Sequence, residues 1–351
     1  MDCFLTVLNG CLPCIPDLSL PYVTLNNHKY KIIRLLGEGG FSYVYLVADK
    51  SNQNALYALK KIRCPFGSSD ESFKNAMKEI RNYHRFANSK TPYIIQSIEE
   101  CVIAEPDGSK TIYIIMPYFE KSLQDIINGQ VLSDERMDEA EIWKIFTGIC
   151  RGLKVMHNHQ RSGTTREDDE DDMLLPGSDD EDDDIPTATE LQELVPFAHH
   201  DLKPANVMIS AEGLPVLVDL GSCLKARHLV RNRQQALTLT DFAQEHCTLP
   251  YRAPELLDVA TVCDISERTD IWSLGCLLYC CCFGYSPFEK LELEQGANLN
   301  LAISQGKYTI PRDKRGYSQE VIDLIKACLV LDAQERPSVG EVLEMALQAQ
   351  A

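Results

Sequence analysis

The sequence predicts an α+β protein, a small antiparallel β-sheet with one main helix followed by a larger, mostly helical region. Three observations carry this. Strand-like runs bounded by turn signals occupy much of residues 30–116, helical stripes dominate after residue 119, and two very short apolar runs interrupt the helical part.

From Tyr30 an apolar-polar run extends to Leu36, breaks at a glycine turn, and resumes at 41–48 and 55–62, which predicts three antiparallel strands. Ser68 or Ser69 is placed to cap a helix whose Phe73, Ala76, Met77, Ile80 and His84 recur at three or four residues. Further strands are expected at 94–103 and 111–116. In 139–157, Ile142, Ile145, Phe146, Ile149, Leu153 and Met156 fall on one helical stripe. Short strands at 207–209 and 216–220 can present polar residues at their ends, and later helices fit 269–282, 318–328 and 339–349. Residues 1–28 show no long-helix periodicity and read as an N-terminal extension. No internal repeat is present.

The chain of 351 residues is 44% hydrophobic, enough for one large domain or two lobes, which excludes a disordered protein. Its net charge of -18 is mostly local, because residues 160–196 hold fourteen acidic and two basic residues. That segment is too charged and too poor in apolar residues to pack, and reads as a disordered surface insert within the helical region. Its Ser178, followed by Asp179, Asp180 and Glu181, suits an acidophilic kinase, though the whole insert also reads as a solvated spacer. Without clustered Lys and Arg, nucleic acid is not expected as a partner. Fourteen cysteines in a long chain with no signal-peptide pattern read as reduced thiols. The longest strongly apolar stretch, 275–285, is too short to span a bilayer.

Gly37-Glu38-Gly39-Gly40-Phe41-Ser42-Tyr43-Val44 lies between two expected strands, where small residues let backbone amides approach phosphate oxygens. Alone it is equally a plain turn. Lys60 shares a strand face with Ala58, so Ala58 can roof an adenine while Lys60 reaches phosphates, with Glu79 on the next helix as its orienting carboxylate. Glu99 and Glu100 fit that role less well. Alone, Lys60 also reads as a solvated strand lysine.

The most specific stretch is His199-His200-Asp201-Leu202-Lys203-Pro204-Ala205-Asn206, followed by Asp219-Leu220-Gly221. Asp201 can take the proton of a substrate hydroxyl while Lys203 steadies phosphoryl charge, and Asn206 and Asp219 are hard oxygen ligands for Mg2+.

Together with Ala253-Pro254-Glu255, these motifs resemble a protein kinase over residues 29–347. The resemblance implies a bilobal kinase fold, with an N-lobe at 29–116, a hinge at 117–119 and a C-lobe at 120–347. It also implies ATP and Mg2+ as cofactors and proteins as substrates. The nucleotide would lie against Leu36, Gly37, Glu38, Gly39, Gly40, Phe41, Ser42, Val44, Ala58, Lys60 and Glu79. Met116 would be the gatekeeper, and Pro117 and Phe119 would bound the hinge. Residues 270–275 resemble a buried helix that anchors the catalytic loop, and Arg336 resembles the arginine that pairs with Glu255.

The stretches 236–243 and 247–255 resemble Numb-associated kinases, and within them the myristoylated and palmitoylated kinase and its fungal vacuole-membrane relatives. By this resemblance Thr248 bridges Asp201 and Lys203, which disfavours tyrosine specificity. It also implies a role at an endomembrane, a vacuole before a Golgi membrane, in fusion or trafficking.

Three departures from the pattern stand out. Ser42 replaces a third glycine. Leu220 replaces the usual aromatic, an apolar swap expected to preserve packing. His200 stands where many kinases carry an arginine that binds a loop phosphate, so activity without that phosphate is expected, with the helix-prone stretch 232–246 packing in its place.

Asp2 stands where N-myristoylation requires glycine, leaving Cys3, Cys11 and Cys14 as candidates for S-palmitoylation and contact with a membrane through S-acyl chains. Two or more chains anchor stably where one does not. Ordinary tail thiols are the plainer reading. Cys276 and Cys280 to Cys282 fall on an expected buried helix and read as core residues. The retained Lys60, Asp201, Asn206 and Asp219 favour an enzyme over its alternative, a pseudokinase-like membrane scaffold.

Overall fold

The computed structural model describes residues 22–39, 42–50, 55–161 and 193–350. Gly40, Phe41, Cys3, Cys11, Cys14, Ser178 and the insert's acidic clusters at 167–172 and 179–184 lie outside them. The chain divides into two compact units, one formed by residues up to Ile80 with Gln96–Tyr118, the other by Arg81–Ile95 with the chain from Phe119 onward.

The first unit is an antiparallel sheet of β1 (Tyr22–Leu25), β2 (His28–Glu38), β3 (Ser42–Asp49), β4 (Leu56–Cys64), β5 (Glu99–Ala104) and β6 (Lys110–Pro117), in the order β1-β2-β3-β4-β6-β5. Helix α1 (Glu71–Ala87) begins in this unit. Cross-strand register places Lys60 between Val44 and Ile114, and Ala58 between Leu46 and Met116. These residues therefore share one face. The other face packs Tyr30, Tyr45, Val47, Leu59 and Ile115 with Tyr57 and Tyr113.

Several local expectations are corrected. Among the described residues the sheet already includes Tyr22–Leu25, inside the stretch read as an extension. β2 runs through Gly37 to Glu38, with register shifts between Ile32 and Arg34 and between Leu35 and Gly37. Gly39 and Ser42, just beyond β2 and at the start of β3, exchange backbone hydrogen bonds of 2.8 and 3.3 Å. α1 is capped by neither Ser68 nor Ser69, since Asp70 accepts the Ser72 N–H at 2.9 Å and the Phe66 N–H at 3.0 Å. The Phe66 hydrogen bond, foremost, holds the Asp70 carboxyl below its ordinary pKa. β5 starts at Glu99 because Ile94 and Ile95 pair instead with Leu217.

The second unit is mainly helical: α2 (Leu123–Ser133), α3 (Glu139–His157), α4 (Arg233–His246), α5 (Arg268–Phe283), α6 (Glu289–Gln295), α7 (Leu299–Ser304), α8 (Gln319–Cys328) and α9 (Val339–Gln348). Helix α5 is buried on all sides from Thr269 to Phe283, so Cys276, Cys280, Cys281 and Cys282 are core residues, as expected. Short strands at Lys121–Ser122 (β7), Gln160–Arg161 (β8), Glu193–Leu194 (β9), Phe197–Ala198 (β10), Val207–Ile209 (β11), Pro215–Leu217 (β12), Leu224–Lys225 (β13), His228–Val230 (β14) and Cys263–Ile265 (β15) complete it. β8 pairs with β9, which brings together the two ends of the acidic insert.

The β11–β12 hairpin ends at Leu217, earlier than the expected 220, because Leu220 enters a 3-10 turn. It sits on α3 where glycine permits close approach. A Cβ at Gly148 would lie 2.4 Å from Pro215 Cγ, and one at Gly152 would lie 2.9 Å from Leu217 Cδ1.

Candidate active site

In the first unit, Lys60 Nζ donates to both oxygens of Glu79 at 2.7 Å, as the sequence predicted. Period-two geometry aims Lys60 off the sheet, and α1 presents Glu79, almost wholly buried, to meet it. The competing carboxylates are engaged elsewhere. Glu99 accepts from Tyr30 Oη at 2.8 Å, and Glu100 accepts from Ser97 Oγ. Val44, Ala58 and Met116 lie on the Lys60 face; Gly37 pairs with Val44 and Glu38 with Tyr43, and Pro117 ends β6. Leu36 falls in the irregularity between Leu35 and Gly37. Phe119 belongs to the second unit.

In the second unit, Asp201 is buried and collects hydrogen bonds on both carboxylate oxygens. Its Oδ1 accepts from Thr248 Oγ1 at 2.6 Å and Thr248 N at 3.0 Å. Its Oδ2 accepts from Lys203 Nζ at 2.7 Å and Asn206 Nδ2 at 3.0 Å. Lys203 Nζ also donates to Thr248 Oγ1 at 2.7 Å, closing a ring of three side chains. Local chemistry shapes the loop, since Pro204 at the head of a 3-10 turn lacks an N–H that would otherwise need a partner.

The loop rests on Asp270 of α5, whose Oδ2 accepts the His199 N–H at 2.8 Å and whose Oδ1 accepts the His200 N–H at 3.0 Å. His157 Nε2 lies 2.9 Å from the same carboxylate. Burial alone would push this carboxyl up, but the His157 hydrogen bond and the surrounding imidazoles outweigh it and hold its pKa at about 2. His200 itself has φ 64°, in the left-handed region, and the Asp270 bond fixes its backbone there.

Asp219 is exposed and follows β12 with φ 61° and ψ 69°. Val218, just before it, donates its N–H to Asn206 O at 3.0 Å, which ties the two expected metal ligands together. With the Asn206 amide nitrogen committed to Asp201, its Oδ1 is the atom left for a cation. Among the described residues no group of three or more His, Cys, Asp or Glu side chains is arranged to hold a metal. One carboxylate and one amide oxygen suit Mg2+, which keeps several waters and takes its remaining ligands from nucleotide phosphates. Leu220 is fully buried, as its apolar character predicted.

The stretch 232–246 forms α4, the helix expected there. Asn232 caps it by accepting the Gln235 N–H at 3.0 Å. After α4 comes Cys247, whose carbonyl accepts two bonds from Arg252 and whose thiol is pushed up to about 12 by burial. Glu255 and Arg336 form a bidentate pair at 2.7 and 2.8 Å. Sequence reasoning missed His157 and Asn82. Nothing in their neighbouring residues signals a partner more than a hundred positions away.

A family model described as the protein kinase domain matches residues 30–161 and 194–347, so the match breaks and resumes around the acidic insert. The chain is 41% identical to serine/threonine-protein kinase ENV7 of Saccharomyces cerevisiae, over 95% of each protein. It is 37% identical to serine/threonine-protein kinase ppk13 of Schizosaccharomyces pombe and 33% identical to human serine/threonine-protein kinase 16, in each case over 92% of this chain and 90% of the relative. Protein kinase domains in general use ATP and Mg2+. With this match and these relatives, the chain belongs to the protein kinase domain family, as a serine/threonine protein kinase.

Proposed function

We propose that the protein is catalytically active and transfers the γ-phosphoryl group of ATP to serine or threonine hydroxyls of proteins, its own included. The observation that carries this is the closed ring of Asp201, Lys203 and Thr248. Asp201 accepts the proton of the substrate hydroxyl as that oxygen bonds to the γ-phosphorus and the bond to the ADP oxygen breaks. Lys203 places its ammonium beside the transferring group, where negative charge is spread over the phosphoryl oxygens. Thr248 holds both in register. In the first unit, Glu79 fixes the Lys60 ammonium for contact with nucleotide phosphates. Asn206 and Asp219 would hold magnesium, which when bound would supply positive charge to offset that of the nucleotide phosphates.

Transfer of labelled phosphate by the purified protein, run beside Asp201→Asn, tests this reading against a non-catalytic scaffold. Strong incorporation by the wild type and near-background incorporation by the variant are expected. Equal incorporation by both would defeat it.

The finer placement among Numb-associated kinases rests on the sequence of α4 and the stretch 247–255. A membrane tether through thioesters at Cys3, Cys11 and Cys14 is supported by their clustering among apolar residues. No helix among the described residues is long and apolar enough to cross a membrane. A vacuolar membrane, before a Golgi membrane, follows from the resemblance to fungal relatives. The triple Cys→Ser variant is expected to move to the soluble fraction, and its continued sedimentation with membranes would refute the tether.

A further inference from the structure

Asn82 lies on α1 three residues past Glu79 and is fully buried. Its amide nitrogen donates to Leu220 O at 2.9 Å and to Cys223 O at 3.0 Å. On its other side, Arg85 Nη1 donates to Asn82 Oδ1. Two carbonyls facing one end and a guanidinium facing the other admit a single orientation of the amide. Arg85 also lies over the Phe197 ring, 4.2 Å from its centroid, and Phe197 pairs with Lys225. Asn82 therefore binds residues 220–223 directly, and Arg85 packs on Phe197, whose strand pairs with the end of that segment at Lys225.

That segment begins directly after Asp219, whose left-handed backbone is one a non-glycine residue keeps only where its surroundings over-determine it. Upstream, Val218 is held by Asn206 O and by His199 Nε2, which lies 3.0 Å from Val218 O. Downstream, Leu220 O closes the 3-10 turn by accepting the Cys223 N–H at 3.2 Å. Asn82 binds the carbonyls at both ends of that turn.

We propose that Asn82, oriented by Arg85, is a positioning residue that holds the Asp219 carboxylate where it can ligate magnesium. Asn82 does not touch the ion; it fixes the turn that aims the ligand. This rests on the reading of Asp219 as a metal ligand, and the experiment separates failure of one from failure of the other.

The affinity of a non-hydrolysable ATP analogue is measured with and without Mg2+ for the wild type, Asn82→Leu, Arg85→Met and Asp219→Asn, with thermal unfolding as the control for folding. The gain in affinity on adding Mg2+ should fall about 10-fold or more in Asn82→Leu, as loss of an outer-shell partner typically costs, and by less in Arg85→Met. Metal-free affinity should stay near the wild-type value in both. A folded Asn82→Leu that keeps the wild-type gain, while Asp219→Asn loses it, would overturn the proposal. If Asn82→Leu does not fold, Arg85→Met at its half-buried position decides by the same criterion. A wild-type gain in Asp219→Asn would instead overturn the ligand reading, and the proposal with it.

Discussion

The imidazole of His200 meets the phenyl ring of Phe242 edge-on, with centroids 5.4 Å apart and planes at 82°. Phe242 is buried and also packs on His246, 4.8 Å between centroids. Helix α4 thus sets an aromatic ring against the residue that precedes Asp201, where many kinases carry a phosphate-binding arginine. Phosphatase treatment is expected to leave phosphoryl transfer unchanged, and a loss traced to the activation loop would refute this. Phe242→Ala should cost about 3–5 kcal/mol of stability, read from urea unfolding, and should lower transfer.

Thr248 contributes both backbone N–H and hydroxyl to Asp201 while accepting from Lys203. Thr248→Ala keeps the backbone bond and removes the bridge between the two charged groups. Hydrogen bonds to charged groups contribute about 1.5–3 kcal/mol, so kcat should fall roughly 10- to 100-fold. Thr248→Ser restores the hydroxyl and should recover most of the rate. Equal rates for the Ala and Ser variants would show that the bridge is not used.

Asp270 makes stability depend on acid. Its folded-state pKa of about 2 lies below the ordinary 3.8, so the folded chain binds this proton more weakly than the unfolded chain. The associated stability, on the order of 2 kcal/mol, is fully present above about pH 4 and is lost as pH falls through about 2. Urea unfolding at a series of pH values should give a shallower acid decline for Asp270→Asn than for the wild type. Parallel curves would exclude the assignment.

Arg336 is buried, pairs with Glu255 through both terminal nitrogens, and donates to Val330 O, Leu331 O and Arg268 O. Its guanidinium also lies over Trp272, 5.1 Å from the ring centroid. Arg336→Met would strand Glu255 and three carbonyls and should destabilise the protein by about 3–5 kcal/mol in chemical unfolding. Arg336→Lys should recover little, because a point charge cannot reproduce a bidentate fork. A variant as stable as the wild type would refute this.

Much of the site was legible in the sequence because its chemistry sits in short motifs. The Lys60–Glu79 pair could be named because strand alternation and helix position constrain both partners. Helix caps were read less well. Ser68 and Ser69 had the right residue type, but Asp70 stands directly before the first turn and satisfies donors on both sides. The expected strand at 94–103 was too long for the same reason, since an apolar run does not say that Ile94 and Ile95 will pair with Leu217.

The sequence alone determined the protein kinase family, the α+β order of elements and the candidate groups for phosphoryl transfer, because periodicity and motif spacing are properties of near neighbours. His200 and Phe242, Asn82 and Leu220, and His157 and Asp270 are joined only by tertiary structure. Their partners lie tens to more than a hundred residues apart, and burial with satisfied hydrogen bonds, a condition on the whole fold, selects them. The sequence specifies the reacting groups; packing decides how firmly each is held.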